Sequence, residues 1–270
     1  MDSVISAKGL SCGYRSGFRI EGVTFELQKG SFTGILGPNG TGKSTLFKGI
    51  SGDLPIREGE VRLLGRPLGA YPAKQLSQTM AVVSQFTEES AVTAEEYVMM
   101  GRLPYRRPLQ FFDTDQDRDI VRRYMELTGT FALKDRMMPE LSGGEQQMVA
   151  IASALAQEPE LILLDEPTSH LDLTHQVRFL DLLKSLNRQR GLSVILILHD
   201  LNLAASYCDY LLMLRKGGIA CQGTPEEVLT ERQIEAVYET PVWIRKDPFS
   251  GKPMVFPLSG EAAAKRGSRV

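Results

Sequence analysis

Residues 37–44, Gly-Pro-Asn-Gly-Thr-Gly-Lys-Ser, constrain the fold of this chain more than any other segment. They follow an apolar run at 31–36 that has the composition of a buried strand, and they precede a helical pattern that continues through Leu46 and Ile50. Glycines let backbone N–H groups turn inward, and a helix N-terminus adds partial positive charge. A strand, a glycine-rich turn and a helix in this order predict a loop that binds phosphate groups.

The predicted ligand of this phosphate loop is a nucleoside triphosphate. We expect Lys43 to reach the β- and γ-phosphates and Ser44 to ligate Mg²⁺. The alternative is a glycine-rich turn that carries an exposed lysine, and the full match in spacing disfavours it. The residues predicted to contact ATP here are Gly37, Pro38, Asn39, Gly40, Thr41, Gly42, Lys43, Ser44 and Thr45.

A second acidic motif follows the apolar run 161–164, where Asp165 and Glu166 leave a predicted strand. An acidic pair at this place is often only the chain leaving the core. Together with a phosphate loop it has a chemical role, because both motifs emerge at the carboxyl edge of a sheet. We expect Asp165 to hold Mg²⁺ through water and Glu166 to act as the base that orients or deprotonates the attacking water.

Composition excludes several classes of function. The formal net charge of the 270 residues is -2, so the chain has no overall electrostatic signature for nucleic acid. The cysteines Cys12, Cys208 and Cys221 are widely spaced and odd in number, which favours small buried side chains in a reducing compartment. The N-terminus lacks a signal-peptide pattern, and no apolar stretch reaches the length of a membrane span. We therefore expect a cytoplasmic chain that meets a membrane only through a partner.

The predicted fold is α/β: a P-loop NTPase core in which helices cover a mixed sheet, an antiparallel β subdomain, and an inserted α-helical subdomain at about 88–159. Short alternating strands precede the phosphate loop, and buried strands return at 161–164 and 193–198. The pattern from Thr224 to Glu239 predicts one helix. We expect a single domain over 1–258, with accessory strands at about 240–258 and a disordered tail at 259–270.

The segment Leu141–Gln147, LSGGEQQ, separates the families that share a phosphate loop, and here the sequence resembles the ABC-type ATPases. The resemblance covers about 4–228 and includes the run Ser169–Asp172 in the expected order. It implies that this segment completes the ATP site of a second copy, so that two chains hold two nucleotides head to tail. Glu145 and Gln146 stand where the family more often has Gln and Arg, which are mild departures because backbone amides and Ser142 would contact the phosphate.

The resemblance also implies individual roles. Tyr14 would stack on adenine, Gln85 would sense Mg²⁺ or water, and His199 would contact the γ-phosphate. Across the dimer, Ser142 and the backbone amides of Gly143 and Gly144 would face the γ-phosphate bound by the other copy. Asp172 would lie at the dimer seam. Structural alternatives exist, since Tyr14 could be a core or surface residue and Ser142 could only cap a helix. The residues given roles across the dimer are Ser142, Gly143, Gly144 and Asp172.

Three further segments resemble the ATPase subunits of bacterial importers for iron-siderophore, haem and cobalamin: 98–109, 166–176 and 247–257. This resemblance implies separate membrane permease subunits, a substrate-binding protein in the complex, no nucleic acid partner and a position at the cytoplasmic face of the membrane. An arginine cluster around Tyr105 is read as a permease contact or as a solvated face: Arg102, Arg106 and Arg107. The alternatives are another importer subfamily or an exporter, and more distantly a nucleotide-binding regulator.

Overall fold

The computed structural model describes residues 3–14, 17, 19–84, 91–110, 112–169 and 171–262. Its helices are α1 (Lys43–Ser51), α2 (Ala73–Thr79), α3 (Ala94–Met100), α4 (Asp115–Leu127), α5 (Gly143–Ala156), α6 (Leu173–Arg190), α7 (Leu201–Tyr207), α8 (Pro225–Val228) and α9 (Glu231–Tyr238). Its strands are β1 (Ser3–Gly13), β2 (Arg19–Gln28), β3 (Phe32–Leu36), β4 (Ile56–Leu63), β5 (Arg66–Pro67), β6 (Met80–Val83), β7 (Leu161–Leu164), β8 (Ser193–Ile197), β9 (Tyr210–Arg215), β10 (Gly218–Gly223), β11 (Val242–Lys246) and β12 (Pro253–Pro257). Within these ranges, no helix is long and apolar enough to cross a membrane.

The chain folds into two compact units. Unit 1 contains Met1–Val4, Gln28–Gly30 and Leu63–Ile195, whereas unit 2 contains Ile5–Leu27, Ser31–Arg62 and Leu196–Val270. The chain therefore passes from unit 1 to unit 2 inside β8.

Unit 2 contains a mixed sheet around β3. This strand runs parallel to β9, with Thr33 opposite Tyr210, and β10 pairs antiparallel with β9. All five residues of β3 are buried, as expected for a strand covered on both faces. The strand leads directly into the phosphate loop and α1, so the predicted order of strand, loop and helix is confirmed. β1, which lies between β2 and β4 in a second sheet, carries most of its residues in the same unit.

Unit 1 contains the helical block. β6 and β7 are parallel, with Val83 opposite Leu164, so both strands end at the same edge. α3, α4 and α5 pack against one another, and their buried positions include Val98, Val121 and Ile151. The sequence Thr93-Ala94-Glu95-Glu96 has the spacing that predicts a capping box. The structure confirms it, because the Thr93 hydroxyl accepts from the Glu96 N–H at 3.2 Å and the Glu96 carboxylate accepts from the Thr93 N–H at 2.8 Å.

Two sequence expectations change. The pattern from Thr224 does not form one helix, because Thr230 caps a second one; Thr224 caps α8 and Thr230 caps α9. The short helix α2 was not predicted; it follows Pro72 and has no side-chain cap, so no capping residue marks its start. The α/β fold with a mixed sheet is confirmed. The single-domain boundaries stay a prediction, and most of the tail, 263–270, lies outside the described residues.

Candidate nucleotide site

The phosphate loop has the backbone conformation that its glycines allow. Gly37, Gly40 and Gly42 have φ values of 145°, 76° and 103°, which side-chain-bearing residues rarely adopt. A Cβ atom on Gly37 would lie 2.6 Å from the carbonyl oxygen of Leu214 in β9. The loop conformation therefore depends on glycine at these positions and on the close approach of a neighbouring strand.

Lys43 points its amine back into the phosphate loop. Its side chain is buried, with 5% of the residue exposed, and Nζ donates to the carbonyl oxygens of Gly37 at 2.8 Å and Pro38 at 3.1 Å. Next to it Ser44 is exposed, and the loop apex at Asn39 is exposed as well. The loop thus presents a buried cation beneath an open polar surface, which is the arrangement that a bound polyphosphate requires.

Tyr14 lies at the end of β1, and its ring is accessible because 44% of the residue is exposed. Lys48 of α1 donates to the Tyr14 hydroxyl at 3.2 Å, and Arg57 donates to the Tyr14 carbonyl oxygen at 3.1 Å. α1 begins at the phosphate loop, so Lys48 connects the two. An exposed ring held at its hydroxyl is free to stack a base on its face.

His199 follows β8 at an exposed position in unit 2. The N–H of Leu198 donates to the carbonyl oxygen of Ile35 in β3 at 3.2 Å. The end of β8 and the start of the phosphate loop therefore lie at the same edge of this part of the sheet. Unit 2 thus brings Tyr14, residues 37–45 and His199 to one region, and their roles toward ATP stay a prediction.

Unit 1 holds the acidic pair. Asp165 is buried, and its N–H donates to the carbonyl oxygen of Val83 at 2.9 Å, which extends the pairing of β6 and β7 by one step. Glu166 then turns away with φ at 50°, an uncommon conformation for a residue with a side chain. Such strain is typical of functional sites. The Ser169 hydroxyl donates to the Glu166 carbonyl oxygen at 3.0 Å, and its N–H donates at 3.2 Å, so the turn is fixed.

The LSGG segment starts α5 in unit 1. Ser142 is its N-cap and is exposed, and the Ser142 hydroxyl donates to Oε2 of Glu145 at 2.7 Å. A hydrogen bond from the Ser142 hydroxyl lowers the pKa of the Glu145 carboxyl, and a hydrogen bond from the Ser142 N–H lowers it further. A Cβ added to Gly143 would meet nothing within 4 Å. The segment is thus both a capping box and an open surface, so the capping interpretation and the phosphate interpretation remain compatible.

Asp172 occupies a comparable position at the start of α6. Its Oδ1 accepts from the His175 N–H at 2.8 Å, and the His175 ring nitrogen Nδ1 lies 2.8 Å from the same oxygen. A hydrogen bond from the His175 backbone N–H lowers the pKa of the Asp172 carboxyl, and a smaller contribution from the His175 ring acts in the same direction. The assignment of Asp172 to a dimer seam stays a prediction. Gln85 lies outside the described residues.

The arginine cluster proves to be heterogeneous. Arg102 is 5% exposed, and it donates to Oδ1 of Asp117 at 2.9 Å and to the Ala156 carbonyl oxygen at 2.8 Å. It holds α4 and α5 together, so its assignment to a surface contact was wrong. Arg106 pairs with Asp113, whereas Arg107 is exposed.

Comparison with known proteins decides the family. The family model described as ABC transporter matches residues 20–169. The ferric enterobactin transport ATP-binding protein FepC of Escherichia coli (strain K12) is 38% identical over 270 residues, which cover 99% of each chain. The chain belongs to the ABC transporter family. As an ABC cassette it binds and hydrolyses ATP.

Two other matches agree with this family. The uncharacterised ABC transporter ATP-binding protein YvrA of Bacillus subtilis (strain 168) is 42% identical over 98% of the chain, which spans 60% of that longer relative. A structure described as a dimeric bacterial ABC transporter cassette, MJ0796, superposes with a TM-score of 0.74 at 28% identity, covering 82% of this chain and 98% of that one.

Two residues of this ABC cassette escaped the sequence analysis. Lys48 received no role from the sequence, although its contact with the Tyr14 hydroxyl ties this aromatic residue to α1. Tyr238 appeared only as the end of a helical pattern, although burial raises the pKa of its hydroxyl to about 12, against a smaller lowering by the backbone of Gly37. Both contacts join residues that are distant in sequence, so no local pattern could have indicated them.

Proposed function

We propose that this ABC ATPase powers the uptake of an iron-siderophore, haem or cobalamin type substrate through separate permease subunits at the cytoplasmic face of the membrane. The observation that carries the proposal is the buried Lys43 amine inside an open phosphate loop, in a chain that aligns along its whole length with a ferric enterobactin subunit. The three importer-like segments of the sequence support the substrate class.

The chain's own groups account for the hydrolytic step. The backbone N–H groups of residues 39–45 and the Lys43 amine bind the β- and γ-phosphates, which fixes the γ-phosphate for in-line attack. Glu166 takes a proton from the attacking water, and His199 donates to the γ-phosphate. Tyr14 stacks on adenine and so sets the position of the whole nucleotide.

Magnesium fits the available donors. The Ser44 hydroxyl is exposed on the first turn of α1, and the Asp165 carboxylate follows β7 directly. Hydroxyl, carboxylate and phosphate oxygens are hard ligands of the kind that Mg²⁺ prefers, often through water. Ser44 and Asp165 would hold the ion, with Gln85 as a further ligand, and the ion would neutralise charge that develops on the phosphates.

The partner in catalysis is a second copy of the chain. Ser142 and Gly143 are exposed at the N-terminus of α5, where N–H groups and the helix dipole favour an anion. Together with Gly144, they would contact the γ-phosphate bound by the other copy. Asp172 would lie at the seam of this head-to-tail dimer.

The permease would dock on the helical block of unit 1. A cleft with a volume of 520 Å³ is lined by Met99, Met100 and Leu103 and by charged groups that include Arg106. Close in sequence, Leu109 and Phe112 are 87% and 83% exposed. An exposed apolar surface of this kind indicates a protein contact. A substrate-binding protein would complete the transporter on the other side of the membrane.

Co-expression with the permease tests the proposal. The complex should be purified, reconstituted in lipid vesicles with ATP inside, and assayed for uptake of a ferric siderophore, haem or cobalamin. We expect uptake that requires ATP and stops with Glu166→Gln. Substrate-independent ATP hydrolysis without any uptake, or substrate release in the opposite direction, would contradict the importer assignment.

A further inference from the structure

The backbone of Glu166 is strained, and neighbouring groups hold it in this conformation. Its φ of 50° lies in the left-handed region, which a residue with a side chain adopts only at a cost in free energy. Such a conformation persists where the surrounding structure fixes it. Ser169 closes the turn, since its N–H and its hydroxyl donate to the Glu166 carbonyl oxygen at 3.2 Å and 3.0 Å. The turn itself must in addition be held against the rest of unit 1.

Gln176, the fourth residue of α6, provides this attachment. Its Nε2 donates to the carbonyl oxygen of Thr168 at 3.0 Å and to that of Leu171 at 2.9 Å. Because both partners are carbonyl oxygens, the nitrogen of the amide and not its oxygen must face them. The Leu171 N–H also donates to the Thr168 carbonyl oxygen at 3.2 Å. One side-chain amide therefore fastens the chain between Glu166 and Asp172 to α6.

The same pair of hydrogen bonds occurs at the start of α5. Gln146, which like Gln176 lies four residues after the helix N-cap, donates from Nε2 to the carbonyl oxygens of Met138 at 2.9 Å and Leu141 at 3.2 Å. In both places the two acceptors belong to the loop that leads into the helix. The chain thus uses one arrangement twice, each time to fix a loop that has a proposed role at the nucleotide.

We propose that Gln176 is a positioning residue for ATP hydrolysis: by fastening this turn to α6, it keeps the Glu166 carboxylate directed at the attacking water. Gln176 acts through Glu166 and not on the nucleotide. Both residues belong to unit 1, whereas the phosphate loop belongs to unit 2, so loss of the amide should affect the rate of hydrolysis and not the affinity for ATP. This inference rests on the proposed role of Glu166 as the general base.

Gln176→Leu keeps roughly the same side-chain volume and removes both hydrogen bonds. The kcat for phosphate release should fall about tenfold, because a displaced general base loses much of its effect. The Kd for ATP, measured by calorimetry, should stay within about twofold of the wild type, as expected when only transition-state stabilisation is lost. Gln176→Glu is a second variant, which keeps the length of the side chain and lacks the donor, and it should show the same separation of kcat from Kd.

Gln189→Leu is the matched control on the same helix. The Gln189 amide nitrogen donates to the Ser185 hydroxyl at 3.0 Å, at an exposed position near the end of α6. This variant loses one amide hydrogen bond of α6 far along the helix from the turn, so it should keep the wild-type kcat and Kd. Thermal midpoints measured on the same preparations show that each variant is folded.

A double-mutant cycle tests whether Gln176 acts through Glu166. Once Glu166→Gln has removed the base, Gln176→Leu should change the remaining single-turnover rate by less than about twofold. Two losses that multiply, a wild-type kcat in both Gln176 variants, or a parallel weakening of ATP binding would each overturn the inference. A wild-type rate in Glu166→Gln alone would instead overturn the proposed role of Glu166.

Discussion

The Nζ atom of Lys43 lies 2.8 Å from the carbonyl oxygen of Gly37, six residues earlier in the same loop. The cation is therefore held inside the phosphate loop. Charge-assisted hydrogen bonds are worth about 1.5–3 kcal/mol, so Lys43→Met should raise the Kd for ATP about tenfold or more. Lys8→Met, at an exposed position of β1, is the control and should change the Kd little. Equal losses in both variants would remove Lys43 from the site.

Glu166 is the expected general base. General-base catalysis contributes roughly 10²–10⁴-fold, so Glu166→Gln should lose most of the ATP hydrolysis rate while retaining ATP binding. Glu160→Gln, just before β7, is the matched control and should keep the rate. Phosphate release and calorimetric binding would be measured on the same preparations. A parallel loss of binding in Glu166→Gln would show that this side chain positions the nucleotide and is not the base.

The Tyr14 ring is expected to stack on adenine. Stacking of a base on an aromatic side chain is worth about 1–3 kcal/mol, so Tyr14→Ala should weaken ATP binding about five- to a hundredfold. Tyr14→Phe should be nearly neutral, because the ring remains and only the contact with Lys48 is lost. Binding of inorganic triphosphate should be the same for all three proteins. Normal ATP binding by Tyr14→Ala would make the residue structural.

The buried ion pair between Arg102 and Asp117 should stabilise the helical block. Burial raises the Asp117 pKa, but hydrogen bonds from Thr114 and Arg102 lower it more, so the net shift is downward. An Asp117 carboxyl with a lowered pKa in the folded state stabilises the fold at every pH above its pKa in the unfolded chain, which is about 4. This stabilisation is lost as the pH falls through the pKa of the folded state.

Asp117→Asn should therefore lower the free energy of unfolding by about 3 kcal/mol at neutral pH, with a difference from the wild type that shrinks below about pH 4. Urea unfolding across this pH range measures it. Arg107→Ala, at an exposed position, is the control and should stay within about 0.5 kcal/mol of the wild type. A pH-independent difference would mean that packing, and not charge, is the cause.

The sequence predicted those parts of the molecule that local patterns encode. The phosphate loop, the strand before Asp165 and the caps at Thr93 and Ser142 follow from spacing and residue type, and the structure has them where expected. The break at Thr230 could have been noticed as a second cap residue within the helical pattern.

Other features depend on contacts between distant residues. The three arginines near Tyr105 look alike in sequence, yet Arg102 is buried because Asp117 and the end of α5 surround it. The burial of the Tyr238 hydroxyl depends on how α9 packs on β9, which no periodicity encodes. The positive φ of Glu166 likewise follows from a turn fixed by Ser169.

We propose that one ATP site is built from Lys43 of one copy and Ser142 of the other. A mixture of two inactive variants tests this arrangement. Lys43→Ala has a damaged phosphate loop and an intact LSGG segment, whereas Ser142→Arg has the reverse. A heterodimer of the two then contains one doubly damaged site and one intact site.

Dimerisation that depends on ATP should be measured by light scattering, with each variant shown to be folded. We predict that each variant alone stays monomeric and that an about equimolar mixture of the two forms dimers when ATP is added. A mixture that remains monomeric at every ratio, while the wild type dimerises with ATP, would contradict the shared ATP site and would leave Ser142 as a helix cap.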